Sequence, residues 1–166
     1  TFQTKAITVT KGDNLSAIVT KLGFNHKQLM QLLQAKPKSK RLSQLKLGDQ
    51  LIFTYTNAYI QSIQLPLSIH KSLIWQRENN TYTMTTQKTL LPFNWNFQEV
   101  TIQTSLAKAM QSKHLPLKYL YAIKNIFSSQ LDFRRNIHPG DSIDLMYKTY
   151  HFKNRNYPGT IALVKI

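Results

Sequence analysis

Thr10-Lys11-Gly12-Asp13-Asn14-Leu15-Ser16-Ala17-Ile18, answered later by Lys46-Leu47-Gly48-Asp49-Gln50-Leu51-Ile52-Phe53, is the passage that decides how this chain is read. It describes a strand broken at a glycine, a helix begun on Asp or Asn, and a return strand entered through Gly-Asp. About 91 residues further on the same order recurs, from Ser105-Leu106-Ala107-Lys108-Ala109 to His138-Pro139-Gly140-Asp141-Ser142-Ile143-Asp144-Leu145. Each copy predicts a strand, two short helices and a strand. So small a unit cannot shelter a catalytic cavity, which makes it a binding module.

Working outward, Ile7 and Val9 alternate with polar residues over 5–10, as in a half-buried strand. Leu15, Ile18, Val19 and Leu22 fall on one helical stripe after a cap at Asp13 or Asn14. Gly23 stops that helix. Asn25 with Gln28 has the spacing of a capping box, Phe24 and Leu29 that of a hydrophobic staple, and Leu29, Leu32 and Leu33 form the inner face of the second helix. Pro37 ends it before a basic loop. Short β-branched and aromatic runs over 59–65, 71–77, 81–86 and 97–103 predict an antiparallel meander, with Asn79-Asn80 as a turn and Leu91 to Asn96 as an irregular connector. In the second copy Leu106, Ala109 and Met110 mark one helix; Pro116, Leu120, Ile123 and Phe127 mark another. The ranges 143–150 and 160–166 pair as a hairpin across Asn154 to Gly159. A final strand without a terminator, and a first residue that is not Met, predict a mature product or an excised region of something longer.

The 22 Lys and Arg against 7 Asp and Glu give a net charge of +15, which favours acid-bearing partners such as cell-wall polymer, anionic lipid or nucleic acid. No cysteine is present, which excludes disulfides and thiolate metal sites. No apolar run reaches the roughly 20 residues of a membrane-spanning helix.

Gly12-Asp13-Asn14-Leu15-Ser16-Ala17-Ile18 followed by Leu45-Lys46-Leu47-Gly48-Asp49-Gln50-Leu51 resembles a LysM-type module. Over essentially all 166 residues, the layout resembles the region that precedes the catalytic domain in bacterial LytM-type (lysostaphin-like) zinc endopeptidases of the cell wall. The N-terminal part is also similar to the opacity-associated protein A domain. The resemblance implies an α+β fold: a LysM-like βααβ domain over 1–56, then a β-rich second domain over 57–166 carrying a helical pair (about 105–129) and a C-terminal hairpin. It also implies a periplasmic or envelope location and contact with peptidoglycan. A LytM-type catalytic domain is the implied second partner, in cis or in trans. Zinc would belong only to that missing domain, and an inner-membrane anchor could lie outside this chain. In LysM folds the groove lies between the loop after the first strand and the loop before the last. Here that means Gly12, Asp13, Asn14 and Ser16 facing Pro37, Leu47, Gly48 and Asp49, with Leu15, Ile18 and Leu47 in the core. The cations Lys36, Lys38, Lys40, Arg41 and Lys46 would meet stem carboxylates.

The chain departs from that family where chemistry is concerned. The His-x-x-x-Asp and His-x-His zinc motifs are absent, and His138-Pro139-Gly140-Asp141 is one residue short of the first, so its Gly-Asp reads as a turn into a strand. LysM modules that bind sugar commonly carry an Asn where this chain has Ala35-Lys36-Pro37-Lys38. Ser16 lacks a Gly-x-Ser-x-Gly elbow, Asp141 and Asp144 read as capping and solvated acids, and the isolated glycines make no phosphate loop. No catalytic and no metal residues are therefore assigned. Two other functions remain in view: an autonomous envelope scaffold that recruits a hydrolase, and a basic nucleic-acid-binding domain using Lys118, Lys124, Arg134 and Arg135. The second is disfavoured because Leu117, Tyr119, Leu120 and Tyr121 leave little polar surface to read bases.

Overall fold

The computed structural model describes residues 1–129, 132 and 135–166, and Arg134 lies outside them. The chain divides into two compact units, Thr1–Leu90 and Leu91–Ile166. In the first, β1 (Gln3–Thr8), α1 (Leu15–Lys21), α2 (His26–Leu33) and β2 (Gln50–Tyr55) run on into β3 (Ile60–Ser68), β4 (Lys71–Glu78) and β5 (Thr81–Lys88). All five strands make one antiparallel sheet in the order β1-β2-β3-β4-β5. The second holds β6 (Phe93–Thr101), α3 (Leu106–Ser112), α4 (Leu117–Phe127), β7 (Ser142–Phe152) and β8 (Arg155–Lys165), with sheet order β6-β7-β8.

This overturns the expected fold class. With 43% strand and 20% helix the protein is mostly β, built on two antiparallel sheets, and it does not open with a LysM-like βααβ domain. The physical reason is that β2 is not the closing strand of a small module. Its second edge is taken up by β3, with Phe53 opposite Ile63, and the helices are fastened to the later strands. Gln28 Nε2 donates to the Ala58 carbonyl at 2.8 Å while its Oε1 accepts from the Ile60 amide at 3.0 Å. The Met84 amide donates to the Lys36 carbonyl at 2.8 Å. Residues 56 and 57, the boundary read from sequence, lie in the β2–β3 connection inside this sheet.

Strand alternation accounts for the core. Phe53, Ile63, Trp75 and Met84 stand side by side across four strands, and with Leu51, Leu65 and Leu73 they pack against Leu15, Ile18, Val19, Leu29 and Leu32 of the helices. The Tyr82 hydroxyl closes this core by donating to the Ile60 carbonyl at 2.6 Å. Both helices start as expected: Asn14 Oδ1 accepts from the Ala17 amide at 2.8 Å and Asn25 Oδ1 from the Gln28 amide at 3.2 Å. The capping box at Asn25 is only half made, because the Gln28 side chain goes to β3 instead. Leu33, expected on the inner face, is exposed.

In the second unit Val100, Ile143 and Leu145 of the sheet meet Leu106, Met110, Tyr119, Leu120 and Ile123. Phe93 to Asn96, read as part of a connector, belongs to β6. The terminal hairpin is tighter than expected, since Phe152 pairs with Arg155 and only Lys153 and Asn154, both at positive φ (48° and 59°), make the turn. Pro158 and Gly159 sit inside β8, an edge strand in its sheet, where a missing amide donor is tolerated. Among the described residues no helix is long and apolar enough to cross a membrane.

Candidate functional site

The two Gly-Asp turns meet at one end of β1 and β2. The Val9 amide donates to the Asp49 carbonyl at 2.7 Å, and the Gly48 amide donates to the Val9 carbonyl at 2.9 Å. Gly12 and Gly48 have φ of 89° and 87°. A Cβ would meet nothing within 4 Å at either position, so the left-handed backbone rather than crowding is what calls for glycine. Asp13 folds back on its own loop, its Oδ2 accepting from the Thr10 amide at 2.8 Å and the Thr10 hydroxyl at 2.7 Å. The hydroxyl first, then the amide, hold its carboxyl below the usual range. Asn14 is the cap of α1, and Ser16 is exposed on its first turn.

Asp49 does the corresponding work in the other turn. One oxygen accepts from Arg41 Nη2 at 2.7 Å and the other from the Lys46 amide at 2.7 Å. The Arg41 side chain keeps only 19% of its surface and that of Asp49 13%. Arg41 Nη1 also donates to the Gln44 carbonyl at 3.0 Å. The Arg41 guanidinium holds the Asp49 carboxyl below its usual value, with the Lys46 amide helping and desolvation opposing. Arg41 is therefore a structural cation turned into the protein rather than part of the expected basic surface. Leu47 departs in the opposite sense. Expected in the core, it stands 76% exposed, because the Val9, Gly48 and Asp49 hydrogen bonds bring the turn close to β1 and leave residue 47 at its tip.

Gly12, Asp13, Gly48 and Asp49 thus come together, with Asn14, Ser16 and Leu47 beside them. Pro37 does not join them. The Lys36 carbonyl is bound to β5, so Pro37 belongs at the sheet edge opposite β1, and three interstrand spacings separate β5 from β2, about 14 Å. Lys36, Lys38 and Lys40 gather there around an open depression of about 730 Å³ that also touches Leu33 and Gln34. Lys46 lies elsewhere, at the Asp49 turn.

The second copy repeats three bonds of the first, those of Val9, Gly48 and the Lys46 amide. The Ile102 amide donates to the Asp141 carbonyl at 2.8 Å, the Gly140 amide to the Ile102 carbonyl at 2.7 Å, and the His138 amide to Asp141 Oδ2 at 2.7 Å. Ser105 caps α3 as Asn14 caps α1. His138 Nδ1 lies 3.9 Å from Asp141 Oδ2 on the surface, and these two residues form a turn into β7. Among the described residues no group of three or more His, Asp or Glu side chains could hold a metal ion. As for nucleic acid, Lys118 Nζ donates to the Pro158 carbonyl at 2.6 Å, Arg135 faces Asp132 at 3.7 Å, and α4 exposes Leu117, Tyr121 and Ile126.

β6 carries one exposed aromatic row. Phe93, Trp95 and Phe97 project from one face of β6, and Lys148 Nζ lies 4.1 Å from the Phe93 ring centroid and 5.0 Å from that of Trp95. The Phe-x-Trp-x-Phe alternation is a strand signal that could have revealed it.

No family model matches the chain. In sequence it is similar to the peptidoglycan DD-endopeptidase ShyC of Vibrio cholerae serotype O1, 22% identical over 143 residues that make up 84% of this chain and 33% of that protein. In structure it is similar to a zinc containing peptidase from Vibrio cholerae, with TM-score 0.72 and 20% identity over 92% of this chain and 47% of that one. It is also similar to Csd3 of Helicobacter pylori in an orthorhombic crystal, with TM-score 0.59 and 14% identity over 96% and 44%. The chain spans between a third and a half of the length of the proteins it matches. It is thus related in sequence to a cell-wall peptidase and shares the fold of part of a zinc peptidase.

Proposed function

We propose that this chain is a non-catalytic, peptidoglycan-binding and regulatory region of, or related to, a bacterial cell-wall zinc endopeptidase, working in the envelope. The observation that carries this reading is the similarity to a peptidoglycan DD-endopeptidase over most of this chain but only a third of that protein. On this reading the hydrolytic zinc sits in a LytM-type catalytic domain outside these 166 residues, in cis or in trans. The chain's own part is to hold wall polymer and to dock against the hydrolase groove, limiting access. The candidate wall contacts are the paired turns of Gly12 and Gly48 with Leu47 exposed between them, together with the cations Lys36, Lys38 and Lys40. Their positive field suits a polymer whose peptide stems carry carboxylates.

The regulatory half is tested by adding the purified chain to a LytM-type catalytic domain and following cleavage of cross-linked muropeptides. Slower cleavage with added chain is expected, and an unchanged rate contradicts regulation. Chelator-sensitive cleavage by the chain alone contradicts the non-catalytic assignment.

A further inference from the structure

Each repeat has a cleft between its first strand and its first helix. In the first copy the cleft encloses about 300 Å³ and is bordered by Lys5, Ala6, Ile18, Lys21 and Leu22. In the second it encloses about 720 Å³. The shared turn bonds align Val9 with Ile102, and the helices align Leu15 with Leu106, so the same positions in the second copy are Gln98, Glu99, Ala109, Ser112 and Lys113. All five border the larger cleft. The substitutions account for its polar character. Ile18 and Ala109 both lie at the buried floor of their clefts. Lys113 puts a cation where Leu22 puts an apolar wall, while Gln98 and Ser112 replace two long lysines with shorter hydrogen-bonding groups. Lys108 adds a second cation.

The other wall is a strand edge. β6 ends the order β6-β7-β8. In an antiparallel ladder alternate residues turn both N–H and C=O toward the partner strand. Ile102 does so, through Asp141 and Gly140, so Thr101 and Glu99 turn their backbone groups away from β7, on the side that borders the cleft. Among the described residues neither Lys108 nor Lys113 has an ion-pair partner. An open strand edge facing two unpaired cations is suited to main-chain pairing with charge at one end.

We propose that this cleft binds a short extended peptide carrying free carboxylates, added to β6 as a further strand, with carboxylate held by Lys108 and Lys113 on α3. The proposal rests on the proposed function only for the source of the peptide, a stem of the wall polymer; the backbone pairing and the two cations are independent of it.

The test is an amide spectrum of the full 15N-labelled chain titrated with a glycan-free tetrapeptide stem and, separately, with an N-acetylglucosamine oligomer. The stem should shift the Glu99 and Thr101 amides and the oligomer should not. Binding should weaken by about tenfold or more in the Lys108→Glu/Lys113→Glu variant, both positions being exposed. Absence of those shifts with the stem, equal binding by the double lysine variant, or shifts caused by the oligomer instead would overturn the proposal. Pelleting of the chain with intact sacculi, measured in parallel, separates the two readings. Pelleting without cleft shifts removes this site and keeps the wall-binding function; cleft shifts without pelleting keep a peptide site and remove the wall.

Discussion

Asp49 holds the loop ahead of β2 through Arg41 and the Lys46 amide, both at 2.7 Å. Removing it leaves a largely buried guanidinium without its partner, so Asp49→Ala should lower the unfolding free energy by about 2–3 kcal/mol in denaturant titration. The pH dependence follows from the sign of the shift. The folded carboxyl titrates below the unfolded one, so its stabilising contribution is complete above the unfolded value of about 3.9 and disappears as pH falls through the lower folded value. Wild-type protein should therefore lose stability more steeply below about pH 4 than Asp49→Asn. Parallel pH profiles for the two would show that the pair contributes nothing. Gly159 is the second residue with a specific demand, since a Cβ there would stand 2.8 Å from Tyr150 Cε2 and 3.1 Å from the Lys148 carbonyl. Gly159→Ala should cost about 1–3 kcal/mol in the same titration, as the β7–β8 pairing gives way to make room.

At the scale of elements, α2 is joined to the sheet by Gln28, whose side chain satisfies the Ala58 carbonyl and the Ile60 amide. Gln28→Ala should destabilise by about 1–3 kcal/mol and speed hydrogen exchange at Ile60, while Gln28→Glu, which keeps an acceptor for that amide, should protect Ile60 better. The same bonds predict that residues 1–56 alone do not fold, whereas 1–90 unfold as one cooperative unit. A folded 1–56 fragment would restore the small module that the sheet order argues against. These elements also show what sequence can and cannot tell. Helix starts at Asn14 and Asn25 and the Gly-Asp turns were legible because each is made within three or four residues. The partner of the second edge of β2 was not, because strand pairing is set by residues far apart in the chain. Phe93 to Asn96 misled because Pro92 and two asparagines outweighed the alternation of Phe93, Trp95 and Phe97. Leu47 misled because hydropathy does not distinguish a buried leucine from one at the tip of a turn.

At the scale of the whole molecule, the duplication was readable and its divergence was not. Equivalent backbone bonds at Val9 and Ile102 survive beside unrelated side chains at Leu22 and Lys113, because a turn demands its glycine and its carboxylate while a cleft wall tolerates exchange. Positive charge is spread over both units, 12 basic residues against 3 acidic in 1–90 and 10 against 4 in 91–166. Any hold on an acidic wall polymer should therefore weaken as salt shortens the Debye length from about 10 Å at 0.1 M toward about 3 Å at 1 M. The most direct measurement is co-sedimentation of the purified chain with intact peptidoglycan sacculi, with soluble fragments assayed in the supernatant. Chain in the pellet and no released fragments is the expected result. A chain that stays in solution at low salt, or that releases fragments from the sacculi, contradicts the proposed function.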